Sequence, residues 1–322
     1  MSLSEAEAEA LFGRMLDGAM ADADIAATLI EMTERGETAA EIAGAARAMR
    51  ARMIAISAPD GAIDVCGTGG DGQHSLNVST AVALVAAAAG VPVAKHGNRA
   101  ASSKAGGADT LEALGLNLDG AAKTAEKSLE LLGICFLFAG AHHPAMARIM
   151  PIRRAIGRRT IFNLMGPLAN PAGVRRQLVG IARPAYVPIY AEAIRSLGTE
   201  TTWVVCGDEG LDELSTAGGN ELARVEGRSL TLWRAHPADA ALPVTPLSAI
   251  AGGDAAFNAA ALRRLLDGER GAYRDAVLFN TAAALSVAGK AAGWAEGVAR
   301  ATEAIDSTRA RTLLARWIEA AA

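Results

Sequence analysis

Aromatic residues are scarce in this chain, with six Phe, four Trp and three Tyr making 4% of 322 positions. Hydrophobic residues still reach 51%, so the apolar content is chiefly Ala, Val, Leu and Ile. That mixture suits close-packed helices and parallel strands buried on both faces. Cysteine is also rare: Cys66, Cys135 and Cys206 are far apart and form no CxxC pair. Their odd number and spacing exclude a disulfide framework or a zinc cluster and suit a reducing compartment. There is no excess of positive charge. Lys plus Arg total 31 against 35 Asp plus Glu, for a net charge of -4, which is not the profile of a general nucleic-acid binder. Long apolar runs are missing too. The longest uncharged one, Ala81–Ala94, is too short to span a bilayer and is broken at Gly90-Val-Pro92. The opening Met1-Ser-Leu-Ser-Glu-Ala-Glu7 lacks the basic-then-apolar order of a leader. The expectation is a cytoplasmic protein with no membrane and no nucleic-acid partner.

Residues up to about 57 read as helices only. Ile42, Ala46, Met49, Met53 and Ile56 recur at alternating intervals of four and three, one helical stripe. Thr38 with Glu41 three residues later predicts a capping box. After the turn signal Pro59-Asp-Gly61, short apolar runs alternate with helical patterns. Strands are expected at Ile63–Cys66, Val91–Ala94, Ile134–Phe138, Leu178–Ile181 and Thr202–Cys206. Helices are expected at Asn77–Ala89, Ala121–Leu132 and Tyr186–Leu197. Such alternation predicts a mostly parallel sheet flanked by helices, with ligands bound by loops at the carboxyl ends of its strands. The Ala-rich stretch from Asn258 onward reads as helical scaffold.

Two of those loops carry the chemistry. The first expected strand runs into Gly67-Thr-Gly-Gly-Asp-Gly72, then Asn77-Val-Ser-Thr80 opens a helix. Glycines admit close backbone approach, and successive free N–H groups at a helix start favour phosphate. Ser75, Asn77, Ser79 and Thr80 add short polar groups. Gly67, Gly69 and Gly72 also satisfy GxGxxG, but Lys95-His96 stands where a dinucleotide site needs a ribose-binding acid. The second loop, Lys95 through Asp109, holds Lys95, Arg99 and Lys104, Ser102 and Ser103, and three glycines including Gly107. Lys and Arg can neutralise a pyrophosphate, which Ser hydroxyls and backbone N–H groups can complete. Either loop alone could be an ordinary solvated turn. Two after neighbouring strands converge on one polyanion.

Asp212 and Glu213 follow the last expected strand, with Asp208 and Glu209 as nearby decoys. Magnesium needs few carboxylates once water and substrate phosphates complete its shell, although acidic loops are more often merely solvated. The paired arginines of Arg153-Arg-Ala-Ile-Gly-Arg-Arg159 could bind carboxylate bidentately, Arg154, Arg158 and Arg159 could equally be surface charge, and the histidine of His142-His-Pro-Ala-Met146 could be core or capping.

Taken together, Gly67–Gly72, Asn77–Thr80, Lys95-His-Gly-Asn-Arg99 with Ser102-Ser103, His143-Pro-Ala-Met146, Arg159–Pro171 and Leu211-Asp-Glu-Leu-Ser215 resemble anthranilate phosphoribosyltransferase, in the family's order and over nearly the whole chain. The resemblance implies an α/β fold of the nucleoside phosphorylase/phosphoribosyltransferase type. A small discontinuous helical domain (1–60 and about 144–177) would join a larger domain (61–143 and 178–322) with a mostly parallel central sheet. It implies transfer of the 5-phosphoribosyl group from phosphoribosyl pyrophosphate to the amine of anthranilate in tryptophan biosynthesis, with Mg2+, in a homodimer formed through the helical domain. Gly67, Asn98, His143 and Arg153 would meet anthranilate. Gly67, Gly70, Asp71, Ser75, Asn77, Val78, Ser79, Thr80, Lys95, Asn98, Arg99, Ser102, Ser103 and Gly107 would hold the sugar pyrophosphate. Ser79, Asp212 and Glu213 would serve magnesium. No general base is assigned. Departures from the family pattern are Ser75 and Leu76 for Thr and Phe, Gly107 for a common Ser, and a chain that opens on what resembles the second helix of the helical domain. The competing readings are a pyrimidine nucleoside phosphorylase-like enzyme and a non-catalytic nucleic-acid-binding paralogue. The second would predict eroded loops and a basic surface.

Overall fold

A computed structural model describes residues 2–100 and 104–322. Ser102 and Ser103, expected in the second loop, lie outside the described residues. Three helices come first: α1 (Glu5–Leu16), α2 (Asp22–Arg35) and α3 (Ala39–Arg50). Ser4 with Glu7 and Thr38 with Glu41 form capping boxes at α1 and α3. Gly44 lets α1 and α3 cross closely, since a Cβ there would overlap Glu5 and Ala8. The stripe expected to run to Ile56 leaves the helix at Arg50. The reason is competing backbone pairing: Ile54 N–H donates to His142 O at 2.8 Å and Ile56 N–H to Pro171 O at 3.0 Å.

The next elements are β1 (Ile63–Gly67), α4 (Val78–Ala88), β2 (Val93–Gly97) and α5 (Gly107–Ala113). Then come α6 (Leu118–Lys123), α7 (Ala125–Leu132), β3 (Ile134–Phe138), α8 (Ala139–His142) and α9 (Met146–Ile156). The one helix expected over Ala121–Leu132 is split at Thr124, which turns its hydroxyl back onto Gly120 O at 2.8 Å. Next in the chain are β4 (Arg176–Gly180), α10 (Val187–Leu197), β5 (Thr201–Gly207), β6 (Asn220–Glu226) and β7 (Ser229–Ala235). The chain closes with α11 (Ala255–Leu266), α12 (Ala272–Val287), α13 (Trp294–Asp306) and α14 (Arg309–Ala320).

The sheet order is β3-β2-β1-β4-β5-β6-β7. The first five of these strands are parallel, while β6 and β7 are antiparallel additions that the strand expectations did not include. β7 is mostly exposed, so it lacks the apolar run that betrays a buried strand. One large core packs α4, α12, α13 and α14 against one face of the sheet. A second unites α1–α3 with Ile149, Ile152 and Ile161–Ala169 and continues onto the other face through Val179, Val204 and Tyr190. No helix among the described residues is long and apolar enough to cross a membrane.

Because β2 and β3 lie on one side of β1, and β4 and β5 on the other, the connections diverge at β1. Such a switch point opens a crevice at the carboxyl ends of the strands. β1, β2, β4 and β5 all end there on glycine: Gly67, Gly97, Gly180 and Gly207.

Candidate active site

A cleft with an empty volume of about 1540 Å³ occupies that crevice. One wall is the loop after β1, from Gly67 to Thr80. The second is Lys95 to Ala100 with Ala105 to Gly107. Asp212 and Glu213 form part of the floor, and Ala139, Met150, Arg153, Phe162, Asn163 and Gly166 close the helical side. The two glycine loops and the acidic pair, separate in sequence, therefore face one space.

Gly69, Gly70 and Gly72 all have φ near +70°, a conformation that favours glycine and turns successive backbone groups along the loop. Gly67 and Gly180 are register partners on β1 and β4. A Cβ on Gly67 would overlap the Asp212 carboxylate, and one on Gly180 would overlap the Asp212 backbone. These two glycines make the seat in which Asp212 rests. Its Oδ2 accepts from Gly69 N–H at 2.7 Å, and Glu213 Oε1 accepts from Ser79 N–H at 3.2 Å.

Asp212 and Glu213 lie deep but keep an opening to the cleft. Burial raises both carboxyls above their ordinary range. The Asp71 charge adds to this at Asp212, and the Asp212 charge at Glu213. Lys95 is 4% exposed and donates to Val65 O at 2.7 Å and Ser79 Oγ at 3.2 Å. Two crowded carboxylates beside one hydroxyl are hard oxygen donors left under-compensated by the protein. Among the described residues no three His, Cys, Asp or Glu side chains converge into a metal cage. A divalent ion that keeps waters and substrate oxygens fits that sparse set.

Beneath the floor, Asp64 is fully buried and accepts from His96 N–H at 3.1 Å, Asn170 Nδ2 at 2.8 Å and Cys66 Sγ at 3.2 Å. It joins β1, β2 and the segment before β4. Thr80 Oγ1 is buried at the cleft with no partner among the described residues. A Cβ on Gly107 would stand 3.2 Å from it, so a serine at 107 would have to displace a neighbour slightly.

On the helical side Arg153 is largely buried, which lowers its pKa. Its Nη2 donates to Asn163 Oδ1 at 3.2 Å, its guanidinium lies 5.9 Å from the centre of the Phe162 ring, and no carboxylate pairs with it among the described residues. A guanidinium in this position has the donor geometry to pair with a carboxylate.

Other expected residues are placed differently. His143 does not line the cleft; it lies behind His96, with ring centres 5.2 Å apart. Burial holds both imidazoles down at about 4. Arg99 faces the cleft mouth but is paired with Asp109 and Glu112. Asn77 spends its side chain on protein partners. Ser75, Val78 and Asn98 line the cleft. Sequence reasoning missed the Gly180 seat, whose signal was a glycine ending a buried strand as Gly67 does. It also left open Arg159, which donates to Gly70 O at 2.9 Å.

Residues 59–311 match the model of the glycosyl transferase family a/b domain, and residues 1–53 the helical bundle domain of the same family. The anthranilate phosphoribosyltransferase of Novosphingobium aromaticivorans is 71% identical over 318 residues, covering 99% of this chain and 96% of the relative. That of Sphingopyxis alaskensis is 66% identical over 316 residues, covering 98% and 95%. Among solved structures, anthranilate phosphoribosyltransferase (TrpD) from Thermus thermophilus superposes with a TM-score of 0.94 at 41% identity, covering 100% of this chain and 96% of that one. The Saccharomyces cerevisiae enzyme in complex with PRPP and Mg gives 0.90 at 27% identity, covering 99% and 93%. With its glycine loops, seated acidic pair and near-full-length identity, the chain belongs to the anthranilate phosphoribosyltransferase family.

Proposed function

We infer that this chain transfers the 5-phosphoribosyl group from phosphoribosyl pyrophosphate to the amine of anthranilate, giving N-(5-phosphoribosyl)anthranilate and pyrophosphate in tryptophan biosynthesis. The observation that carries the reading is the opposition, across one cleft, of a phosphate-type wall (Gly67–Thr80, Lys95, Gly107) and Arg153, an arginine with no carboxylate partner among the described residues. One wall suits a polyanion and the other a carboxylate.

The sugar pyrophosphate lies along Gly70, Asp71, Ser75, Val78, Ser79, Thr80, Lys95 and Gly107. Thr80 Oγ1, buried and unpartnered, gains an acceptor when it binds. Ser79, Asp212 and Glu213 hold Mg2+, which neutralises charge on the departing pyrophosphate. Gly67 and Asn98 face the acceptor ring, and Arg153 pairs with its carboxylate. His143 supports His96 from behind. An aromatic amine is neutral near pH 7 and needs no strong base, so these groups work by positioning and electrostatics. The helical unit, residues 1–60 with about 144–177, supplies Arg153. In this reading the protein works in the cytoplasm as a homodimer through that unit. Three buried free thiols suit that compartment and the net charge of -4 opposes a nucleic-acid role.

Anthranilate fluorescence tests the reaction. Mixing protein, anthranilate and phosphoribosyl pyrophosphate should extinguish the signal with magnesium and leave it intact with chelator. Persistent signal in a folded, magnesium-loaded sample contradicts the reading. Phosphate-dependent cleavage of a pyrimidine nucleoside would instead favour the phosphorylase alternative.

A further inference from the structure

Asn77 stands where the two phosphate-type loops meet. Its Oδ1 accepts from Thr110 Oγ1 at 2.6 Å and from Asn258 Nδ2 at 2.8 Å, while its Nδ2 donates to Ala105 O at 3.2 Å on the second loop. An amide oxygen has two lone pairs, so Oδ1 is filled by the protein. The Asn77 backbone oxygen accepts from Tyr273 OH at 3.1 Å. An asparagine at a helix N-cap ordinarily turns its oxygen onto the first-turn amides. Asn77 is the N-cap of α4 and makes no such bond. Its oxygen is drawn away toward α5 and α11, beside the unpartnered Thr80 Oγ1 in the first turn.

We propose that Asn258 and Tyr273, from the C-terminal helices, are positioning residues for pyrophosphate binding. They hold Asn77 so that the start of α4 stays open to the ligand and both loops keep one spacing. The proposal rests on reading the cleft as the phosphoribosyl pyrophosphate site. Asn258 is 2% exposed, and its Oδ1 is fixed by Gly253 N–H at 2.8 Å. Burial, then the Glu213 charge, raises the Tyr273 phenol, so it remains a donor. The same segment grips the first loop again: Gly252 N–H donates to His74 O at 2.7 Å and Leu76 N–H to Ile250 O at 2.8 Å. The stretch from residue 250 onward thus clamps the loop from outside, and none of its residues lines the cleft.

The test compares Tyr273→Phe and Asn258→Ala with wild type by steady-state kinetics, calorimetric titration of phosphoribosyl pyrophosphate with magnesium, and thermal melting. Each variant should raise KM and Kd for the sugar pyrophosphate roughly tenfold. KM for anthranilate at saturating sugar should stay unchanged; Tyr273→Phe should also keep the wild-type melting temperature, whereas Asn258→Ala leaves Gly253 N–H without its acceptor and should melt lower. Asn258→Ala should add nothing in an Asn77→Ala background, because it acts through that side chain. Unchanged sugar affinity, equal rises in both KM values, a fall in the melting temperature of Tyr273→Phe in step with affinity, or full additivity of the Asn77 and Asn258 variants would each overturn the proposal. Wild-type protein that fails to bind the sugar pyrophosphate would overturn the reading of the cleft, and the proposal with it.

Discussion

Asp212 occupies the space that Gly67 leaves empty: a Cβ on Gly67 would collide with the Asp212 carboxylate. Gly180, beside it on the next strand, is closed to a side chain by the Asp212 backbone. The acidic residue is therefore placed by two missing side chains as much as by its own hydrogen bond to Gly69.

Gly67→Ala should keep the fold and move Asp212, reducing turnover by roughly a hundredfold, the usual scale for a displaced catalytic-site group. Gly180→Ala presses on backbone and should also cost about 1–3 kcal/mol of stability, as overpacking does. Steady-state kinetics with denaturant melts check both. Wild-type activity in Gly67→Ala would show that the seat does not fix Asp212.

Arg153→Ala removes the guanidinium beside Phe162 and Asn163, which has no carboxylate partner among the described residues. KM for anthranilate should rise about 10- to 100-fold, the scale of a hydrogen bond to a charged group, while KM for the sugar pyrophosphate barely moves. Equal changes in both would mean that Arg153 does not read the acceptor carboxylate.

Acid sensitivity should begin in the helical unit. Glu41 is fully buried, which alone would raise its pKa. Hydrogen bonds from Arg35, Leu3 N–H and Thr38 N–H, with the Arg35 charge, outweigh this and hold it at about 2. Its unfolded value is 4.5. The folded pKa is depressed, so this contribution is fully present above about 4.5 and is lost as pH falls toward 2. Melting temperature should drop through that window in wild type. Glu41→Gln should melt lower at neutral pH and show a shallower acid slope. Parallel pH profiles would remove Glu41 from the account.

Much of the cleft was legible in sequence because its signals are local. Gly67–Gly72 and Lys95–Asp109 each follow an apolar run, and in the capping box Thr38 and Glu41 stand only three residues apart. Parallel strands buried on both faces announce themselves as apolar runs, whereas the half-exposed β7 does not. What escaped depends on distant chain. Nothing near Gly180 reveals that Asp212 will press against it, and nothing near Asn258 reveals Asn77. His143 looked like a site residue by motif, but its ring packs behind His96. Arg99 looked free in sequence because its partners, Asp109 and Glu112, come within reach only once α5 folds back.

The paired substitution Asp212→Asn with Glu213→Gln tests the central claim, that a half-buried acidic pair brings magnesium to the sugar pyrophosphate. The measurement is turnover together with the shift in melting temperature caused by magnesium plus phosphoribosyl pyrophosphate. The account predicts turnover abolished, the shift lost and the ligand-free fold at least as stable as wild type, because two crowded charges are gone. A double variant that keeps full magnesium-dependent turnover would contradict it.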